Sequence, residues 1–223
     1  MADYKEQRLN MVESQVRPSD VTDRRIVRAM SDVAREVFVP ADLRSTAYRD
    51  EAIPLASGSG SHGRRHLLAP RTFAKLLQVA ELGDNGAVLV VGAGGGYSLA
   101  VLARMARQVT GVESDEALVT EARAALGAVG VKNADVVLGP LHDGHAPNGP
   151  YDVILVEGAV EDVPRSLLDQ LKDGGRLVAI VAHGPGGKAV VWQRSGKTFA
   201  AREAFDATAT GLPGFQRAAA FVL

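Results

Sequence analysis

Short continuous apolar runs alternate with helically spaced stripes along most of the chain. Residues 87–91, Ala-Val-Leu-Val-Val, read as a strand covered on both faces. Glycines follow, then Leu99, Val101, Leu102 and Met105 at helical spacing. Residues 109–112 predict the next strand, which ends in Glu113. Ser114 is placed to cap a helix with Asp115 and Glu116 in its first turn, stopped near Val129 by Gly130. Residues 136–138, 153–156 and 176–181 predict further strands. Pro164 opens a helix before the last of them, ending at Asp173-Gly174-Gly175. This β-α-β alternation implies a parallel sheet with helices on both faces.

Towards the C-terminus the pattern changes. Residues 189–194 and 198–205 flank Ser195-Gly196, a hairpin signal, and 218–222 offer one more short strand. The expected fold is α/β: a doubly wound, mostly parallel, seven-stranded Rossmann-like sheet with an antiparallel C-terminal end and an N-terminal helical extension. In that extension Leu9, Met11, Val12 and Val16 precede a stripe of Ile26, Val27, Met30 and Val33, for which Asp20 or Thr22 can serve as cap. Pro70 opens a helix that buries Phe73, Ala74, Leu76, Leu77 and Val79. We divide the chain into an extension with a substrate-side loop, 1–80, and a nucleotide-binding core, 81–223, forming one compact unit.

Composition narrows the function. The 223 residues are 46% apolar and 23% charged, with a net charge of −1, so no global field favours nucleic acid or acidic lipid. There is no cysteine, which excludes disulfides, thiolate metal sites and a cysteine nucleophile. No His/Asp/Glu cluster has metal-ligand spacing. The polar start is unlike a signal peptide, and no apolar stretch reaches the ~20 residues that span a bilayer. These features fit a cytoplasmic protein and do not specify its oligomeric state.

Gly92-Ala93-Gly94-Gly95-Gly96 lies between the first core strand and its helix, where backbone amides can approach a ligand. A dinucleotide fingerprint needs glycine where Tyr97 stands, and no Gly-Lys-Ser/Thr follows for a phosphate loop. The G-x-G-x-G spacing resembles class I S-adenosylmethionine-dependent methyltransferases. Glu113 ends the next strand, where a carboxylate can accept from both ribose hydroxyls, or merely sit solvated before a helix. The cofactor set read from these motifs is Gly92, Ala93, Gly94, Gly95, Gly96, Tyr97, Glu113, Ser114, Leu141 and Glu157, around S-adenosyl-L-methionine.

Further segments carry a family resemblance. They are Met11-Val12 with Gln15-Val16, Ile26-Val27-Arg28-Ala29-Met30, Arg35-Glu36-Val37-Phe38-Val39-Pro40, and Ala47-Tyr48-Arg49-Asp50. The core adds Val88 through Tyr97 and Ala100-Val101-Leu102-Ala103. From about Met11 to Val181 the chain resembles the protein-L-isoaspartate O-methyltransferase family. That likeness implies a repair enzyme methylating isoaspartyl carboxylates, with isoaspartyl-containing proteins or peptides as partners.

Three departures bear on the chemistry. The family's Thr-Ile-Ser-Gln-Pro is His66-Leu67-Leu68-Ala69-Pro70 here, so its active-site serine is Leu68 and no catalytic residue is assigned. Its Gly-Asp-Gly becomes Gly139-Pro140-Leu141, removing an adenine-binding carboxylate and a backbone donor. Its alanine run becomes Glu157-Gly158-Ala159. The cationic loop 57–66 offers Arg64, Arg65 and His66, beside His62, to orient an anionic acceptor, or else it is a solvated surface loop. A methyltransferase with another acceptor, and a non-catalytic binding or regulatory homologue, stand as alternatives.

Overall fold

The computed structural model describes residues 3–55, 65–184 and 186–216. The strand expected at 218–222, and His62 and Arg64 of the cationic loop, lie outside these residues. Helix α1, Tyr4–Met11, is capped by the Asp3 carboxylate, which accepts from the amides of Lys5 and Glu6, and it runs on into a π-helical turn at Val12–Val16. Helix α2, Arg24–Asp32, is capped by Asp23, not by Asp20 or Thr22. Asp20 instead adopts a left-handed conformation, φ 61°, at the end of the preceding turn. The stripe Ile26, Val27, Ala29 and Met30 faces inward.

Strands β1, Ile53–Pro54, and β2, His66–Leu67, form a small antiparallel pair before helix α3, Pro70–Ala80. The core then runs through β3 (Ala87–Val91), α4 (Tyr97–Leu102), β4 (Gln108–Glu113), α5 (Glu116–Ala128) and β5 (Ala134–Leu138). It continues through β6 (Tyr151–Val160), α6 (Arg165–Leu168), β7 (Leu171–His183), β8 (Gly186–Ser195) and β9 (Thr198–Asp206). The seven-stranded sheet has the order β5-β4-β3-β6-β7-β8-β9, parallel from β5 to β7, with β8 and β9 antiparallel.

Further local expectations are corrected in the core. Asp115, not Ser114, caps α5, accepting from the amides of Ala117 and Leu118 and leaving the Ser114 hydroxyl for another partner. The helix after Pro164 is a single turn, and Gly174-Gly175 lies inside β7. A Cβ at Gly175 would stand 2.9 Å from the Tyr151 carbonyl oxygen, so glycine lets the strand close beside the register shift between Tyr151 and Val153.

The two sheet faces are covered unequally. Val88, Val90, Val153 and Leu155 pack against α1 to α5, so the first 80 residues share one apolar cluster with the sheet. Leu89, Val91, Ile154 and Val156 face the shorter cover of Leu141, Leu167, Leu168, Leu212 and Phe215. Past β9 the chain returns to the carboxyl end of β6. The amide of Ala159 donates to the Thr210 carbonyl at 2.9 Å and that of Leu212 to the Ala159 carbonyl at 2.8 Å.

Candidate functional site

Strand β3 delivers its glycine loop to the carboxyl edge of the sheet, where the amides of Gly92 and Ala93 donate to the Val112 carbonyl at 2.9 and 3.1 Å. Gly94 has φ +51° and its amide donates to Glu113 Oε2 at 3.0 Å. A Cβ on Gly95 would stand 2.9 Å from the Phe38 carbonyl oxygen, so the extension packs directly on this turn. The loop therefore needs glycine for both its backbone conformation and its close neighbours.

Glu113, at the end of β4, is completely buried, and its carboxylate gathers donors from several directions. Oε1 accepts from the amides of Ser114 at 2.7 Å and Asp115 at 3.2 Å. The guanidinium of Arg65 grips the same carboxylate: Nη2 reaches Oε1 at 2.9 Å, and Nε lies 3.2 and 3.3 Å from the two oxygens. Arg65 Nη2 also donates to the Ser114 hydroxyl at 3.0 Å.

Beyond Glu113 lies a cavity of about 410 Å³ lined by Ser114, Leu138, Gly139, Pro140, Leu141, His142, Pro213 and Gly214. Leu138 is 54% exposed there; among the described residues Leu9, far along the chain in α1, is the other large apolar side chain left exposed. A mostly apolar slot beside a buried carboxylate suits the flat base and ribose of a nucleoside. Pro140 supplies neither a carboxylate nor an N–H to the edge of such a base.

On the other side of the glycine loop, Glu157 is buried at the carboxyl end of β6 and accepts from the Ser98 hydroxyl at 2.6 Å. Burial pushes its carboxyl up to about 8, against the Ser98 hydrogen bond and the charge of Arg35, while Glu113 adds to the rise. Near neutral pH this group therefore holds its proton. Arg35 is fully buried: Nε donates to the Ala47 carbonyl and Nη2 to the Leu68 carbonyl, each at 2.7 Å. Desolvation lowers its pKa from the ordinary arginine value, opposed by Tyr97 and Glu157.

The side chains named from sequence separate into groups. Gly92 to Gly96, Glu113 and Ser114 cluster at one corner, Leu141 lines the adjoining cavity, and Glu157 flanks the loop. Tyr97 turns its ring into the core between Phe38 and Phe73, at centroid distances of 5.8 and 5.6 Å, with Arg35 stacked 4.8 Å above it. Leu68 buries its side chain in the same cluster, so the family's serine position presents only a backbone carbonyl, and that carbonyl is occupied by Arg35. His66 pairs its Nδ1 with the Thr210 hydroxyl at 2.9 Å.

Sequence reasoning missed three contributors. Arg35 reads from sequence as one member of Arg35-Glu36-Val37-Phe38-Val39-Pro40, with nothing local to mark it as the buried tie between two carbonyls. Ser98 is hidden in an apolar helix. Leu212 carries no chemical signature, yet a Cβ on Gly92 would lie 3.1 Å from it and one on Gly158 2.5 Å. It covers the carboxyl ends of β3 and β6.

Among the described residues no group of three or more His, Asp or Glu side chains could hold a metal ion, and no helix is long and apolar enough to cross a membrane. The family model described as Protein-L-isoaspartate(D-aspartate) O-methyltransferase matches residues 6–204. A protein-L-isoaspartate O-methyltransferase of Synechococcus sp. is 39% identical over 182 residues, covering 82% of this chain and 72% of the relative. A solved protein-L-isoaspartate O-methyltransferase superimposes with a TM-score of 0.80 at 23% identity, covering 94% of this chain and 66% of that one. Another structure, from Plasmodium falciparum and in complex with S-adenosyl-L-homocysteine, gives a TM-score of 0.77 at 18% identity, covering 92% of this chain and 97% of its own. On the length of the family match and this identity, the chain belongs to the protein-L-isoaspartate(D-aspartate) O-methyltransferase family.

Proposed function

We propose that this protein transfers a methyl group from S-adenosylmethionine to the free carboxylate of isoaspartyl residues in damaged proteins or peptides. The observation that carries the reading is the buried Glu113 carboxylate between the Gly94 amide and the Leu138-lined cavity, inside a family of this activity. Glu113 would hold the donor's ribose hydroxyls, and Leu138 and Leu141 would flank its adenine. When bound, the donor supplies an electrophilic methyl carbon on a sulfonium, so the acceptor oxygen forms the new C–O bond as the C–S bond breaks and sulfur takes the electron pair.

No proton has to move in this reaction, because a carboxylate is already ionised near neutral pH. The protein's part is to align the acceptor and strip its water. This is why Leu68 at the family's serine position is compatible with turnover. Glu157, protonated near neutral pH, adds no negative charge to the carboxyl edge of the sheet. Arg65 and His66, flanking the entrance to β2, are the candidates for orienting the acceptor, and Arg64 extends the same cationic segment outside the described residues. We place the enzyme in the cytoplasm, consistent with a chain that contains no cysteine.

Calorimetric titration with S-adenosylhomocysteine tests the donor site. Saturable one-site binding is expected, and its abolition in Glu113→Ala with the fold retained. No heat of binding to the intact protein would remove the enzymatic reading.

A further inference from the structure

Arg65 occupies the carboxylate that the donor's ribose needs. A carboxylate offers about four acceptor sites on its two oxygens. In this structure Glu113 already takes the amides of Gly94, Ser114 and Asp115 besides both Nε and Nη2 of Arg65. No acceptor capacity is left for two ribose hydroxyls while the arginine fork stays in place.

The pair is also imperfect in a telling way. Arg65 is 4% exposed, yet its Nη1 is buried with no hydrogen-bond partner among the described residues. An unpaired buried donor on a cation is costly, so the closed arrangement is opposed from within. The Arg65 backbone is held separately, its carbonyl accepting from the Leu55 amide at 2.9 Å. The side chain can therefore leave Glu113 while its own backbone stays fixed at the edge of the β1–β2 pair. The next residue is His66, tied to Thr210 and not among the residues that line the cavity.

We infer that Arg65 is a latch on the donor site: it covers the Glu113 carboxylate as seen in this structure and is displaced when the donor's ribose takes that carboxylate. This rests on the donor reading above. Displacement also frees a guanidinium beside His66 for the acceptor's carboxylate, which sets the order of binding as donor first, acceptor second. Apparent donor affinity is then the intrinsic affinity reduced by the fraction of molecules in which Arg65 has swung away.

The test is calorimetric titration of the wild type, R65Q and R65K with S-adenosylhomocysteine, after far-UV circular dichroism and melting establish that each variant is folded. If the latch is closed in about nine molecules of ten, R65Q binds about tenfold more tightly than the wild type. R65K, which keeps the charge but loses the fork, falls between them. Equal or weaker binding by folded R65Q overturns the latch while leaving the donor site intact. Absence of binding in both wild type and R65Q overturns the donor reading and the latch with it. An isoaspartyl peptide titrated into wild type should bind detectably only when S-adenosylhomocysteine is present, and equal binding in its absence contradicts the order.

Discussion

The Ser98 hydroxyl donates to the buried Glu157 carboxyl across 2.6 Å, joining the first turn of α4 to the carboxyl end of β6. Burial raises this carboxyl from 4.5 to about 8, so the native state retains a proton that the unfolded chain gives up over that interval. Because the native state binds the extra proton, stability falls as pH rises from about 4.5 to about 8, and is lowest above it. Glu157→Gln keeps a neutral partner for Ser98 and removes the titration. Urea midpoints should show the variant flatter than the wild type across this window, and more stable at about pH 9. Parallel profiles would contradict the protonated state of Glu157.

Arg35 ties Ala47 and Leu68 to one guanidinium, joining the turn after the first two helices to the segment entering α3. Arg35→Met leaves two buried carbonyls without donors and should cost about 3 kcal/mol in urea unfolding. Arg35→Lys should recover only part of this, because a single ammonium cannot span both carbonyls as the planar fork does.

Leu138→Asp separates binding from folding. The side chain is exposed in the cavity beyond Glu113, so the melting temperature should stay within about 2 °C of the wild type. Affinity for S-adenosylhomocysteine should fall at least about tenfold, equal to ~1.4 kcal/mol. Unchanged affinity would place the adenine elsewhere.

Leu68→Ser restores the family's residue but not its setting. Leu68 is packed in the core, so the loss of its side chain should destabilise by about 3 kcal/mol. Turnover should not rise, since the acceptor needs no general base. A higher kcat at undiminished stability would show that this position faces the substrate.

Much of this was legible in the sequence because the determining forces are local. The run Ala87–Val91 could only be a strand buried on both faces, and each of its residues is buried. The spacing of Gly92 to Gly96 and Glu113 predicts that they meet at one corner of the sheet, and the fold brings the Gly94 amide within hydrogen-bond reach of Glu113. What the sequence concealed depends on contacts distant along the chain. Arg65 reads as an acceptor-orienting cation or a surface charge until Glu113, 48 positions away, is seen to hold it buried. The strap carrying Thr210 and Leu212 has no periodicity, and it is fixed by contacts far along the chain, to Ala159 and to His66. Local pattern favours Ser114 as the cap of α5, but Asp115 takes that role; the grip of Arg65 on Ser114 goes with capping by Asp115.

The most direct measurement is transfer of labelled methyl from S-adenosylmethionine to an isoaspartyl peptide, beside the same peptide with ordinary aspartate. The account predicts a base-labile methyl ester on the isoaspartyl peptide alone, formed by the wild type and lost in folded Glu113→Ala. No ester at saturating donor and peptide, or equal labelling of both peptides, would contradict it.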